Sequence, residues 1–115
     1  MKKLTNIQRK VFIKSMIATS DKWALRALQV VYDNQTSEEQ VRRTTEEQNG
    51  VGFTQADARL MAVFAQLLKT KGLTENQITQ VKLKMPKYWN QILQASNVIK
   101  LDNLIIQSKL KLKIA

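Results

Sequence analysis

Apolar positions recur at helical spacing along most of this chain, and polar clusters mark where one helix stops and the next begins. In residues 5–19, Val11, Phe12, Met16 and Ile17 supply an apolar side, while Lys10 and Lys14 lie four apart on the other. The Thr19-Ser20-Asp21 cluster ends that helix and starts a second. From Lys22 to Tyr32, Ala24, Ala27, Leu28 and Val31 keep a 3.6-residue period, with Lys22, Arg26 and Gln29 on one polar stripe. Trp23 reads as a core or near-core residue, because an exposed indole would leave a large apolar ring in water.

The pattern changes over residues 33–48, where Val41 is the one strong hydrophobe. Thr36 with Glu39, or Ser37 with Gln40, fits a capping box. Glu38 and Glu39 would sit at the positive end of a short polar helix, with Arg42 and Arg43 one turn later. Such a helix buries little. It reads as a surface connector, or as a segment that docks a partner. Asn49-Gly50 and Gly52 then predict a sharp turn that drops Phe53 into the core. A backbone anion site at the following helix start is the alternative, although the glycine spacing matches neither phosphate-loop pattern.

The clearest helix follows, over 54–71. Thr54 is its expected N-cap, and Asp57 sits at N3, where a carboxylate faces free backbone N–H groups. Ala56, Leu60, Val63, Phe64, Leu67 and Leu68 form a broad apolar stripe, and Gly72 is the expected C-terminal stop. Thr74 and Gln77 open another helix with Ile78, Val81 and Met85 on one face. It stops near Lys84 because Met85 precedes Pro86. Pro86 suits the first position of a further helix bearing Tyr88, Trp89, Ile92 and Leu93. After Asn97, Leu101, Leu104, Ile105 and Leu112 fit a helix, or the segment is a flexible basic tail. The expected fold is all-α, a compact bundle of five or six short helices packed around 54–71. Residues 1–97 form one helical domain and 98–115 a basic C-terminal helix or tail.

Composition narrows the chemistry. The 115 residues contain no cysteine and no histidine, which removes disulfides, thiolate chemistry, the usual zinc sites and the usual catalytic triads. No apolar run approaches membrane-spanning length, and nothing reads as a secretory signal. We therefore expect no enzyme, no cofactor, no metal, no membrane partner and a cytoplasmic setting. The formal charge of +10 is uneven: net +6 over residues 1–32, net −4 over 33–57 and net +8 over 58–115. Such a field favours polyanionic partners, nucleic acid first.

The sharpest candidate site is VKLKMPKYWNQ, where Lys82, Lys84 and Lys87 lie close to Tyr88 and Trp89. Lysines would meet phosphates, and Tyr88, expected to be partly exposed, would stack on an unpaired base. Trp89 is expected to be buried. A helix-turn-helix reading of 74–94 would leave Asn90, Gln91 and Gln94 to read bases. A second basic surface is expected from Arg9, Lys10, Lys14, Lys22 and Arg26 on the polar faces of the first two helices. Glu38, Glu39, Arg42 and Arg43 are the candidates for a protein contact.

The stretch Asn49 to Gln91 resembles a short module of phage and plasmid proteins with the pattern N-G-x-G-F-x-x-x-D-A, an apolar helix, L-T-x-x-Q, then K-Y-x-x-Q. The matching residues are Asn49, Gly50, Gly52, Phe53, Asp57, Ala58, Leu73, Thr74, Gln77, Lys87, Tyr88 and Gln91, with Lys84 upstream, over about two fifths of the chain. Such modules occur in small phage proteins and beside helicases of mobile elements. The resemblance implies a DNA or anti-defence context and supplies no catalytic residue. The expected function is a small phage or plasmid accessory protein that binds nucleic acid, DNA ahead of RNA, through basic surfaces. The alternative is a protein that inhibits a host defence nuclease, such as a CRISPR effector, by binding that protein complex.

Overall fold

Two helices of this protein begin on the same device. The Thr5 hydroxyl accepts the Gln8 N–H (3.2 Å) while the Gln8 side chain accepts the Thr5 N–H (2.8 Å). Thr74 and Gln77 repeat the exchange at 3.2 and 2.9 Å. The structure, a computed structural model, describes residues 4–42 and 52–114, the side chains of 36–42 and 110–114 excepted. Among the described residues there are six α-helices and one 3-10 turn. These are α1 (Asn6–Thr19), α2 (Asp21–Arg42), α3 (Gln55–Thr70), α4 (Glu75–Lys84), the 3-10 turn (Met85–Tyr88), α5 (Trp89–Ala95) and α6 (Val98–Ile114). The all-α expectation is met, and residues 98–114, expected as a helix or a flexible tail, form α6.

Three boundaries follow from identifiable residues. Ser20 alone separates α1 from α2, accepting the Trp23 N–H on its hydroxyl at 3.3 Å. Gly72 takes φ +81° after α3, and its N–H reaches back to the Leu67 carbonyl at 2.8 Å. Pro86 sits in the first turn of the 3-10 segment, where its missing N–H removes no hydrogen bond.

Three expectations are corrected. The separate polar helix expected after Tyr32 is a continuation of α2, which runs unbroken to Arg42. No glycine or proline interrupts it, and Asn34 and Gln35 are held by tertiary hydrogen bonds described below. The hub of the bundle also differs. Helix α2 packs against α1, α3, α4, the 3-10 turn and α5, whereas the 54–71 helix packs, among the described residues, mainly on α2 and α4. The α2 stripe of Ala24, Ala27, Leu28 and Val31 is wholly buried, and its two alanines let neighbouring helices approach closely.

Around that stripe lie Ile13 and Ile17 of α1, Met61, Phe64 and Ala65 of α3, Val81, Met85, Tyr88, Ile92, and Leu101 and Ile105 of α6. Helix α3 is rotated from the expected orientation. Asp57 and Met61 face inward, while Leu60 and Val63 are 38 and 48% exposed. This orientation goes with the burial of Asp57 in its first turn.

Candidate nucleic-acid interface

Within the lysine–aromatic cluster around Pro86, Tyr88 turns inward and two of the lysines reach over a buried carboxylate. The Tyr88 hydroxyl donates to Asp57 Oδ2 at 2.7 Å and accepts the Thr54 N–H at 3.0 Å, with Thr54 Oγ1 3.2 Å away. Lys87 Nζ lies 2.5 Å from Asp57 Oδ2, and Lys84 Nζ lies 3.5 Å from Oδ1. Asp57 is 3% exposed and Tyr88 5%, and Phe53 meets the Tyr88 ring edge-on at 5.7 Å between centroids. So Asp57 is not the local capping carboxylate its position suggested; its partners come from the 3-10 turn and the end of α4.

Burial pushes the Asp57 carboxyl up. The hydrogen bonds from Lys87 and Tyr88, with the charges of Lys87 and Lys84, outweigh it and hold the carboxyl below its ordinary value. Burial, together with the hydrogen bond to Asp57, pushes the Tyr88 phenol up to about 12, although its bonds with Thr54 oppose the rise.

The same region captures three consecutive backbone N–H groups. Gly52 donates to Gln91 Oε1, Phe53 to Gln35 Oε1 and Thr54 to the Tyr88 hydroxyl, each at 3.0 Å. Gln91 Nε2 returns a bond to the Gly52 carbonyl at 2.9 Å, and Asn34 donates to Gln91 Oε1 at 3.0 Å. Gly52 has φ +81°, and a Cβ there would stand 2.7 Å from Gln35 Cβ. Among the described residues no buried side-chain polar atom lacks a hydrogen-bond partner. The module-like residues Gly52, Phe53, Asp57, Tyr88 and Gln91 are thus the parts of one clamp that fastens residues 52–54 to α2, the 3-10 turn and α5.

This arrangement corrects two expectations. Tyr88 is buried and Trp89 only partly so, the reverse of the expected order. Gln91 is buried and engaged by Gly52 and Asn34, which takes it away from base reading. The N–H groups of residues 52–54 already have acceptors, so the glycine turn itself offers none of them to an anion. Lys82 is also paired, with Asp21. Lys82, Lys84 and Lys87 are therefore offset by two carboxylates.

The second expected surface divides. Arg9 grips Asp102 of α6 through Nε and Nη2, both at 2.9 Å, and that hydrogen bond lowers the Asp102 carboxyl. Lys10 Nζ lies 5.3 Å from the Trp89 ring centroid. Lys14, Lys22 and Arg26 are exposed and, among the described residues, form no ion pair. Arg43 and the side chains of Glu38, Glu39 and Arg42 lie outside the described residues.

Lys22 and Arg26 border an open groove of about 590 Å³ walled by α2, α5 and α6. Lys100 of α6 joins them there. Trp23, Val30, Ile92, Leu101 and Leu104 supply its apolar lining, and no acidic side chain lines it. Phe12 meets Trp23 edge-on, with ring centroids 5.9 Å apart. Lys100 was not singled out from sequence. Its nearest signal was its place before Leu101 and Leu104, and Lys22-Trp23 with Arg26 interleaves cation and aromatic just as the Pro86 segment does.

Among the described residues no cluster of three or more Asp, Glu, His or Cys is placed to hold a metal, and no helix is long and apolar enough to cross a membrane. No protein-family model, curated protein or solved structure matches the chain.

Proposed function

We propose that this protein binds nucleic acid without catalysing a reaction on it, neutralising phosphates with no sequence preference. The observation that supports this best is the groove of α2, α5 and α6, where Lys22, Arg26 and Lys100 stand without acidic partners around Trp23. Net charge alone is a weaker argument, because much of the positive charge expected at residues 82–87 is offset within the fold. The phage or plasmid setting, a cytoplasmic location and the preference for DNA over RNA belong to the same proposal and are implied by the sequence and the resemblance.

The groove also supports a second reading. Its apolar lining beneath a basic border suits an acidic, amphipathic segment of a protein, such as a surface of a defence nuclease that the protein would inhibit.

The deciding experiment titrates the protein into labelled random-sequence DNA and RNA across a range of salt. Tight binding that falls steeply with salt is expected. Replacing Lys22, Arg26 and Lys100 together with Gln should lower the slope of log affinity against log salt by about 2, at roughly 0.7 per cation on a single strand. The corresponding Lys82, Lys84 and Lys87 variant should keep most of that slope and lose stability instead. Absence of binding at low salt would overturn the nucleic-acid reading.

A further inference from the structure

We propose that the groove of α2, α5 and α6 receives an unpaired strand, so that the protein binds single-stranded nucleic acid in preference to duplex, with a base laid against Trp23. This deepens the nucleic-acid reading and rests on it. The argument begins with what the two forms of nucleic acid present to a surface. A duplex presents phosphate and sugar on its outside and hides its base faces in the stack. Against this groove it would satisfy the border cations and set charged phosphates over Ile92, Leu101 and Leu104. An unpaired strand divides its chemistry as the groove does. Its phosphates can follow Lys22, Arg26 and Lys100, while a base presents an apolar π-face to the interior.

Trp23 is the lining residue best suited to that base. It is partly buried, so stacking would cover the part of the ring that folding has left open. Phe12 packs edge-on against it, at 86° between ring planes, which restrains the indole before any ligand arrives. Two helices hold the cations, with Lys22 and Arg26 one turn apart on α2 and Lys100 on α6. The positive charge therefore follows the groove and is not confined to one helix face.

The test uses the full-length protein and two labelled probes at the same salt, an oligothymidine strand and a hairpin duplex of equal nucleotide count. The strand should bind at least about tenfold more tightly. Trp23→Leu should weaken strand binding by about fivefold to a hundredfold and leave duplex binding unchanged. Because Trp23 packs near the core, a second readout protects the test from a misfolded variant. In Trp89→Phe the sole tryptophan is Trp23, and its fluorescence should be quenched by the strand and not by the duplex.

Equal affinity for the two probes, or a Trp23 signal that ignores the strand, would overturn the single-strand proposal while leaving a nucleic-acid-binding protein. No binding of either probe at low salt would overturn both readings. A synthetic acidic amphipathic peptide of Glu and Leu that binds the groove more tightly than oligothymidine would assign the groove to a protein partner and overturn the proposal.

Discussion

Protonating one carboxylate reaches the Thr54 end of the 52–54 clamp through Tyr88. Asp57 receives the Tyr88 hydroxyl and two lysines, and Tyr88 in turn holds the Thr54 N–H. The Asp57 carboxyl lies below its ordinary value in the folded protein, so the stability it contributes is present above an unfolded value of about 3.9 and is lost as pH falls through the folded value. Asp57→Asn should destabilise the protein by about 1–3 kcal/mol at neutral pH. The difference in melting temperature between the two proteins should narrow below about pH 4, which thermal denaturation at stepped pH would reveal. A constant difference across that range would show that the charge of Asp57 contributes nothing. That Asp57 served folding was legible in the sequence; its partner was not. The N3 position explains an acid through its own helix, whereas Tyr88 lies 31 residues away. Gln91 was hidden for the same reason, since a glutamine beside Asn90 reads as surface until Gly52, 39 residues earlier, is placed beside it.

At the scale of elements, local signals were read well and tertiary ones poorly. The Thr74–Gln77 capping box, the Gly72 stop and the break at Met85-Pro86 act within a turn of their own positions, so the boundaries they set were legible. The extent of α2 was not, because Asn34 and Gln35 resemble loop residues until their bonds to Gln91 and Phe53 are known. The last segment shows both sides. Its apolar spacing fitted a helix but left a flexible tail equally open, and it did not show that Leu101 and Ile105 would be buried or that Asp102 would pair with Arg9 across the bundle. Because Ile105 is 2% exposed in the common core, Ile105→Ala should lower stability by about 2–5 kcal/mol in chemical denaturation. A neutral result would mean that α6 rests on the bundle without stabilising it.

For the whole molecule, an uneven charge was legible in the sequence, but its effective distribution was not. The fold pairs Lys82, Lys84, Lys87 and Arg9 with carboxylates and leaves Lys22, Arg26 and Lys100 around one groove. The best candidate from the linear sequence thus shares its lysines with fold-holding contacts, and a second candidate is assembled from two helices far apart in the chain. The clamp also bears on the order of folding. Tyr88 and Gln91 can complete the clamp on residues 52–54 only after the 3-10 turn and α5 have docked, and closing such distant contacts early would carry a large entropic cost. The clamp therefore belongs to the native side of the folding barrier. Gly52→Ala, with its Cβ against Gln35 and a strained φ, should destabilise the protein by about 1–3 kcal/mol. In stopped-flow kinetics that loss should appear as unfolding accelerated roughly five- to 150-fold with folding barely slowed. Slowed folding would place the clamp in the nucleus. What the clamp governs on this view is how long the folded protein lasts, more than how quickly it forms.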